Sequence, residues 1–243
     1  HRRSSAASDV YKRQYIDSPN YLEIFKERSL MFEINVSAEK GYAWAFPSKG
    51  NLLNIGIGVP LNIFKKEKLD INVLLQDFIK QLENRGVVVE NVRDEKSYLL
   101  PFASSRPKIT QNVNVTLIGD ASSMINPMSG EGIFYGMEAG YLLAENTHNL
   151  LDSPDLSKGI VSYEKAFSKR FKKHYLSCAL ARLVLQSPFM TKRLLKVASN
   201  DQDTIDFVVE LLFDEAYLTF GEVVKIMYKF LLPSKLLFLL SKN

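Results

Sequence analysis

One segment restricts the fold more than any other: an apolar run that leads, through a loop with Pro and Gly, into a helix. Residues 113–119 (VNVTLIG) have the continuous apolar character of a buried strand, and Gly130–Asn146 has a helical pattern. The run ends in Gly119, which Asp120 follows. A strand, a loop and a helix in this order are typical of nucleotide sites. The sequence therefore predicts an α/β fold.

Gly119 and Asp120 have different expected roles in such a site. An acid at the carboxyl end of a strand can accept a hydrogen bond from a ribose hydroxyl, and glycine leaves the backbone open near a ligand. Asp120 is therefore our candidate for the ribose or pyrophosphate side of a nucleotide.

The start of the following helix is a second candidate contact. Gly130, Gly132 and Ile133 open it, and the free N–H groups of a first helical turn favour an electron-rich or anionic ligand atom. Pro127 fixes the preceding loop, residues 126–129, which would border the ligand.

An antiparallel sheet is predicted upstream of this segment. Three strand-like runs separated by turn residues form a meander, a helical face follows, and two further apolar runs come before the loop segment. In order, these stretches are residues 30–36, 42–47 and 52–59, the helix 69–82, and the runs 87–92 and 98–103. Gly86 is the expected helix stop, and Val73, Leu74, Phe78, Ile79 and Leu82 are the expected buried face.

Three aromatic side chains alternate along the second strand of this sheet. Tyr42, Trp44 and Phe46 must project from the same face, because successive strand residues point to opposite sides. Such a stripe is either ordinary core or a wall for an extended apolar substrate.

Helical periodicity continues through the C-terminal third of the chain. Leu, Val and Phe recur at helical spacing in residues 160–185, 194–197 and 205–213. The last apolar stretch, Phe220–Leu240, contains Lys225, Lys229, Pro233 and Lys235, so we do not expect it to span a bilayer. It either packs on its own domain or, with the basic stretch Val161–Ala198, contacts an anionic membrane surface.

Residues 1–14 (HRRSSAASDVYKRQ) are expected to be a foreign, disordered arm. They are polar, lack the apolar stretch of a signal peptide and resemble translated adapter sequence. The formal net charge is +4, and this arm supplies most of it. The nearly neutral remainder argues against a nucleic-acid partner.

Cysteine and histidine are too sparse to suggest a metal site. Cys178 is the single cysteine, and its apolar helical setting indicates core packing. His148 and His174 lack ligand spacing, so we predict no metal.

Two segments resemble a known family. Gly119-Asp120, Pro127 and Gly130-Glu131-Gly132-Ile133 closely resemble the second FAD motif of flavoprotein hydroxylases and geranylgeranyl reductases. The stretch GYAWAFP, residues 41–47, resembles the Tyr-x-Trp-x-Phe-Pro motif of geranylgeranyl reductases, and NIGIGV continues as that family's next strand. Ser122, Ser123 and Gly136 depart from the residues usual at these positions, which puts the contacts with the flavin ring in doubt.

The resemblance implies how the chain is organised. It implies a substrate-binding sheet and helix in 15–106, the strand, loop and helix of the second FAD motif in 107–150 as a remnant of a Rossmann-like domain, and a helical region in 151–243. No G-x-G-x-x-G follows a strand in this sequence, although FAD proteins with two motifs need it for the pyrophosphate. We therefore expect the chain to be the C-terminal part of a larger protein and to hold FAD weakly by itself.

The resemblance also implies an activity. The complete protein would be a cytoplasmic FAD-dependent reductase that hydrogenates double bonds of prenyl chains on lipids or quinones, with a nicotinamide or a ferredoxin as electron donor. No His, Lys or acid in the aromatic strand identifies itself as proton donor, so we name no catalytic acid, and Tyr42 is no more than a possibility. Two alternatives remain open: part of a flavin monooxygenase, and an inert, lipid-binding fragment.

Overall fold

The computed structural model describes residues 8–25, 30–34, 41–101, 110–112, 115–151, 153–213 and 216–231. The chain divides into two compact units. One comprises Ala7–Leu100, and the other comprises Pro101–Asn243 together with His1–Ala6. Each unit is described by itself.

The first unit is built on a five-stranded sheet in the order β2-β3-β4-β1-β5. Strands β2, β3 and β4 are joined in sequence and pair antiparallel, which confirms the predicted meander. The strands are β1 (Ser8–Asp17), β2 (Met31–Ile34), β3 (Tyr42–Pro47), β4 (Leu52–Pro60) and β5 (Glu90–Pro101).

Helices cover one face of this sheet and enclose the core of the unit. They are α1 (Tyr21–Phe25), α2 (Leu61–Lys66) and α3 (Ile71–Asn84). Alternate residues of β3 and β4 point into this core, where Ala43, Ala45, Ile55 and Ile57 are fully buried. Helix α3 buries Leu74, Leu75, Phe78, Ile79 and Leu82. The predicted face is thus correct apart from Val73, which is 55% exposed and is replaced by Leu75.

Local signals fix both ends of α3. The carboxylate of Asp70 accepts a hydrogen bond from the backbone N–H of Asn72 at 2.8 Å, as an N-cap does. At the other end Gly86 has φ +89°, and Val87 N–H reaches back to the carbonyl of Leu82 at 3.0 Å. This left-handed turn confirms the predicted helix stop.

Strand β1 corrects the prediction that residues 1–14 are a disordered arm. Residues 8–14 belong to β1 and pair with β4, whereas residues 1–7 lie outside the described residues. Polar side chains conceal this strand in the sequence. Lys12 and Gln14 point into the core, and Lys12 Nζ donates to Glu95 Oε1 at 2.6 Å and to the side chain of Asn72.

Strand β5 corrects a second boundary. The apolar runs 87–92 and 98–103 were expected as separate strands, but one strand extends from Glu90 to Pro101. The polar stretch between the runs looks like a turn in the sequence. It remains part of the strand, with positive φ at Asn91 and Asp94, because β5 lies at the edge of the sheet, where most of its side chains are exposed and need no apolar alternation.

The second unit is mainly helical. It contains a small sheet of two antiparallel strands, β6 and β7, a 3₁₀ turn at Gly119–Ser122 and five helices among the described residues. These elements are β6 (Thr110–Asn112), β7 (Val115–Thr116), α4 (Ile133–Thr147), α5 (Leu156–Leu185), α6 (Pro188–Ala198), α7 (Gln202–Phe213) and α8 (Phe220–Leu231). The α/β class and the helical C-terminal region agree with the sequence prediction.

An aromatic core joins α4 to α5. Tyr135 of α4 packs edge-on against Phe171 of α5, with ring centroids 5.4 Å apart, and it lies 5.2 Å from the ring of Tyr175. Phe167 and Tyr163 complete this buried cluster. Because of this shared core, the region expected as 107–150 falls in the same compact unit as the helices that follow.

The apolar helices of the second unit are not of the membrane-spanning kind. Among the described residues, no helix combines the length and the hydropathy that crossing a bilayer requires. The predicted tail Phe220–Leu240 corresponds to α8 as far as Leu231, and its remainder lies outside the described residues.

Candidate functional site

Tyr42, Trp44 and Phe46 lie on one face of β3, as the alternation predicts. Their side chains are half-buried, whereas the intervening Ala43 and Ala45 are fully buried on the opposite face. The ring centroids of Tyr42 and Trp44 are 6.0 Å apart, and those of Trp44 and Phe46 are 6.4 Å apart. The three rings therefore form a continuous aromatic row on the face away from the helices.

Neighbouring strands extend this row. Phe32 of β2 stacks on Tyr42 with centroids 5.8 Å apart. On the other side, Tyr11 of β1 lies 6.2 Å from Trp44 and 5.7 Å from Tyr98 of β5. We call this surface the aromatic face.

Two glycines of β4 make room for the aromatic face. Trp44 is paired with Gly56 and Tyr42 with Gly58 in the antiparallel register. A Cβ at Gly56 would collide with the indole of Trp44, and one at Gly58 would collide with the phenol of Tyr42. The rings thus lie directly over the backbone of β4. This arrangement depends on Gly56 and Gly58, whose role the sequence analysis did not predict. The pattern G-x-G on the strand that follows Y-x-W in a meander could have indicated glycines beneath the aromatic rings.

A hydrogen bond fixes the orientation of the central ring. The indole N–H of Trp44 donates to Asn54 Oδ1 at 3.0 Å. Asn54 and Gly56 are on the same face of β4, since they are two residues apart. The polar edge of the indole is satisfied in this way, and its carbon surface remains available for apolar contact.

In the second unit, Gly119 and Asp120 do not follow a buried strand. Strand β7 contains only Val115 and Thr116, while Val115 is 44% and Ile118 is 41% exposed. The prediction of a buried strand over 113–119 is wrong for the described part of that run. A buried strand needs paired neighbours on both sides, and within the described residues only β6 pairs with β7.

The turn at Gly119 nevertheless brings predicted residues together. Gly119 has φ +59°, a conformation that favours glycine, and its Cα would lie 3.4 Å from a Cβ added at Gly136 of α4. The carboxylate of Asp120 lies beside Gly132, with Oδ1 3.7 Å from the position of an added Cβ. The acid at the turn and the start of α4 therefore form one surface.

The loop from Asn126 to Glu131 leads into α4 in a tightly hydrogen-bonded form. Asn126 Oδ1 accepts from the backbone N–H of Met128 at 2.8 Å, and Gly130 N–H donates to the carbonyl of Asn126 at 3.0 Å. Gly130 has φ +78°. Pro127 is buried within this loop.

Glu131 acts as a helix cap. Its Oε1 accepts from the backbone N–H of Phe134 at 2.9 Å, so a local role accounts for this acid. The backbone N–H groups of Gly132 and Ile133 have no acceptor within the described residues, and the Ile133 side chain is 79% exposed. These two N–H groups are the ones available to a ligand at the start of α4.

A buried network of hydrogen bonds fixes the position of the loop from Asn126 to Glu131. Asn126 Nδ2 donates to the carbonyl of Leu211 at 2.9 Å and to the hydroxyl of Tyr135 at 3.1 Å. The hydroxyl of Tyr135 lies 2.6 Å from His174 Nε2, and His174 Nδ1 lies 2.6 Å from the carbonyl of Ala216. A carbonyl only accepts, so Nδ1 carries the proton and Nε2 accepts from Tyr135.

Sequence reasoning missed this network. Apart from Asn126 and Tyr135, which are 9 positions apart, the pairs are separated by 39 to 85 positions along the chain, so no local pattern indicates them. Arg182 adds a further long-range contact, since its guanidinium donates to the carbonyl of Pro127 at 2.8 Å. Helices α5 and α7 thereby fix the position of a loop that precedes them in the sequence.

The single cysteine belongs to the surroundings of this network. Cys178 is fully buried and its Sγ lies 3.3 Å from the carbonyl of Leu211. Burial raises the pKa of the Cys178 thiol to about 12, although a hydrogen bond with Asn126 acts in the opposite direction. The thiol is therefore protonated at neutral pH, as expected of a packing residue.

The residues of the second unit fit the flavin end of FAD. Gly132 has no side chain beside Asp120, and the free N–H groups at the start of α4 can face an oxygen or nitrogen of an electron-rich ring. Gly119, Asp120, Pro127, Gly130, Gly132 and Ile133 all lie on this turn, loop and helix start. The aromatic face belongs to the other unit.

Comparison with known proteins finds one family model that matches part of the first unit. Residues 13–95 match the family model of the geranylgeranyl reductase catalytic domain, and this range contains the aromatic face from Phe32 to Phe46 and both glycines beneath it. These residues are similar to a geranylgeranyl reductase catalytic domain. The match confirms the resemblance that the sequence motif indicated.

Curated relatives have related names. A menaquinone reductase of Mycobacterium tuberculosis is 35% identical over 118 residues, which are 49% of this chain and 28% of that protein. A digeranylgeranylglycerophospholipid reductase of Methanosarcina mazei is 30% identical over 57% of this chain and 32% of its own length. Its counterpart in Thermoplasma acidophilum is 26% identical over 77% and 44%, respectively. The chain spans less than half the length of these relatives.

Solved structures with a similar fold include flavin-dependent enzymes. A geranylgeranyl bacteriochlorophyll reductase-like protein of Thermoplasma acidophilum has a TM-score of 0.61 at 19% identity, covering 93% of this chain and 55% of that chain. A flavin-dependent brominase has a TM-score of 0.55 at 15% identity, covering 92% and 56%. At these identities the likeness concerns the fold. The likeness in fold covers both compact units of this chain.

Proposed function

We propose that this chain is part of an FAD-dependent reductase that hydrogenates carbon–carbon double bonds of prenyl chains on lipids or quinones. The observation that carries the proposal is the aromatic face of β3 over Gly56 and Gly58, within residues 13–95 that match the geranylgeranyl reductase catalytic domain. The relatives named as reductases of a digeranylgeranyl lipid and of menaquinone support the substrate class.

The aromatic face suits an extended hydrocarbon. Aromatic carbon contacts a prenyl chain without hydrogen bonding, and the indole N–H of Trp44 is already occupied by Asn54. Burying such a chain yields free energy in proportion to the apolar area removed from water. The row of rings from Phe32 to Phe46 thus binds the chain along its length, while the double bond to be reduced is held against it.

The second unit supplies the cofactor contacts in this proposal. Reduced FAD, when bound, would supply a hydride for one carbon of the double bond after the electron donor has reduced it, and a proton would complete the saturation at the other carbon. The N–H groups of Gly132 and Ile133 would stabilise negative charge on the pyrimidine end of the ring, and Asp120 would lie at the ribose or pyrophosphate side of the cofactor. Tyr42 is the candidate proton donor among the residues of the aromatic face.

Exposed apolar residues on α4 support a larger complete protein. Ile133, Met137 and Tyr141 are 79%, 71% and 59% exposed and recur every four residues, so they form a stripe along one face of the helix. We propose that further elements of the FAD-binding domain cover this stripe and the exposed Val115. The electron donor of the complete protein is a nicotinamide or a ferredoxin, and its location is cytoplasmic with peripheral membrane contact.

Anaerobic turnover of a prenyl substrate tests the proposed function. The protein expressed from the complete gene is incubated with FAD, a reductant and a geranylgeranyl lipid, and saturation is followed by mass spectrometry. Trp44→Ala should lower kcat/KM at least about tenfold, since a buried aromatic contact contributes more than about 1.4 kcal/mol. Trp44→Phe should retain most of the activity.

Phe189→Ala is the matched control for this test. Phe189 is 76% exposed on α6 and belongs to neither the aromatic face nor the candidate flavin contacts, so its removal should leave kcat/KM unchanged. Oxygen consumption coupled to a hydroxylated product would show a flavin monooxygenase instead and contradict the proposal. Absence of any turnover, with the Trp44 variants indistinguishable in substrate binding, would favour the inert lipid-binding alternative.

A further inference from the structure

The helical region contains an apolar cavity that the aromatic face does not include. Its volume is about 380 Å³, and it lies wholly within the second unit, between helices α5, α6, α7 and α8. This volume falls in the range of small-molecule pockets. Its lining includes Leu180 and Val184 of α5, Met190 of α6, Phe207 of α7, Ile226 of α8 and Met128 of the motif loop.

The lining offers almost no polar group to a ligand. Thr204 is the one hydroxyl residue among the described residues that line the cavity, and its Oγ1 is bonded to the carboxylate of Asp201. The carbonyl of Leu211 already accepts from Asn126 Nδ2 and from Cys178 Sγ. A polar ligand would lose its hydrogen bonds to water without replacement, whereas a hydrocarbon loses none.

The cavity is accessible from solvent. Leu180 and Val223 both line it and are 48% and 37% exposed, so its wall is continuous with the surface between α5 and α8. Water at such an apolar wall finds almost no hydrogen-bond partner, so an apolar occupant that displaces it gains free energy. A flexible hydrocarbon chain can enter through such an opening.

The cavity borders the motif loop, which is the loop from Asn126 to Glu131 that leads into α4. Met128 contributes to the lining, and its backbone N–H is held by Asn126 Oδ1 at 2.8 Å. The preceding Pro127 is tied to α5 through Arg182. An occupant of the cavity therefore touches the loop that carries the candidate flavin contacts, which links the cavity to the chemistry proposed above.

We propose that this cavity binds a prenyl chain. The choice of a prenyl chain over other hydrocarbons rests on the proposed function, while the apolar lining, the volume and the opening are independent of it. The cavity is a second binding site for hydrocarbon, within the helical region and separate from the aromatic face of the sheet.

Equilibrium binding of radiolabelled geranylgeraniol to the full chain, without flavin or reductant, tests this proposal. We expect saturable binding in which the cavity accounts for one molecule per chain, counted as the sites that the cavity variants lose and that Trp44→Ala retains. Ala181 lines the cavity, and Ala181→Phe should fill it and weaken binding at least about tenfold. Val208→Phe fills the same space from α7 and replaces the first variant if Ala181→Phe fails to fold, as judged by circular dichroism and thermal unfolding.

Leu183→Phe is the matched control. Leu183 lies on α5 two residues after Ala181, is 62% exposed and does not line the cavity, so its affinity should change less than about twofold. Absence of saturable geranylgeraniol binding to the unaltered chain would overturn the proposal. Equal binding by Ala181→Phe, Val208→Phe and Leu183→Phe would do the same.

The outcome separates this proposal from the reductase proposal. If the chain fails to bind geranylgeraniol while the complete protein still saturates a prenyl substrate through its aromatic face, only the cavity proposal fails. If binding is found and depends on Ala181, while anaerobic saturation is absent, only the reductase proposal fails. Hexadecanol in place of geranylgeraniol identifies the occupant, since binding of hexadecanol alone would contradict a prenyl chain.

Discussion

Trp44 can lie against the backbone of β4 because its cross-strand partner is a glycine. A Cβ at Gly56 would overlap the indole ring and approach the carbonyl of Lys12 to 2.7 Å. We therefore expect Gly56→Ala to displace the ring and to lower the free energy of unfolding by about 1–3 kcal/mol, as overpacking does. Trp44 is the single tryptophan, so intrinsic fluorescence reports its displacement directly.

Gly140→Ala is the control variant for Gly56→Ala. A Cβ at Gly140 of α4 would meet only Ile118 Cδ1, at 4.0 Å, and alanine favours a helix. Its tryptophan emission should equal that of the unaltered chain, and its stability should be the same or slightly higher. Unchanged emission in Gly56→Ala would show that Trp44 does not rest on Gly56.

At the scale of elements, Asp201 joins the start of α7 to α8. Its carboxylate accepts from the backbone N–H of Thr204 at 2.9 Å and from the ammonium of Lys229. Burial tends to raise the pKa of Asp201, but the hydrogen bonds from Lys229 and Thr204 outweigh it, so the pKa is lowered. The charged carboxylate therefore stabilises the folded chain.

Asp201→Asn should lower the free energy of unfolding by about 0.5–1 kcal/mol at pH 7 while keeping the helix cap. Since the folded-state pKa is lowered, the contribution of Asp201 is complete above its unfolded pKa of about 3.9 and disappears as the pH falls through the folded value. The difference between variant and unaltered chain should shrink accordingly in denaturant titrations from pH 7 to pH 2.

Asp203→Asn is the control for this titration. It removes the same charge from α7, but its partner Lys225 is 3.6 Å away and both side chains are largely exposed. We expect a stability change close to zero at every pH. A difference for Asp201→Asn that does not diminish in acid would contradict the assigned role of the carboxylate.

At the scale of the whole molecule, the sequence contains only one of the two motifs of the proposed FAD site. The start of α4 and Asp120 are the proposed contacts, whereas G-x-G-x-x-G, which holds the pyrophosphate, does not occur in the sequence. We expect the purified chain to show little or no oxidised-flavin absorbance after incubation with FAD and gel filtration.

The native gene provides the positive control for flavin binding. We expect the sequence upstream of this segment to encode a strand followed by G-x-G-x-x-G, and the protein expressed from the complete gene to retain flavin. Stoichiometric flavin on the chain alone would contradict the expected dependence on a first motif. An upstream sequence without that motif would refute the assignment to FAD proteins with two motifs.

Several features were predictable because they depend on local patterns. The alternation of Tyr42, Trp44 and Phe46 predicts one aromatic face, and helical spacing predicts nearly all of the buried face of α3. Turn chemistry predicts the helix stop at Gly86. In each case, neighbours in the sequence are also neighbours in the structure, so periodicity and backbone preference are sufficient.

Tertiary structure alone decided the features that join distant residues. The pairing of Trp44 with Gly56, the bonds from Asn126 to α7 and the position of His174 depend on register and packing across many residues. Strand β1 forms although its core-facing Lys12 and Gln14 are polar, because its backbone pairs with β4 and Lys12 finds polar partners. The sequence by itself thus determined most of the helices and strands and the motif that resembles the family. The glycines beneath the aromatic rings, the hydrogen bonds that hold the loop at Asn126 and the apolar cavity arose only when these elements packed together.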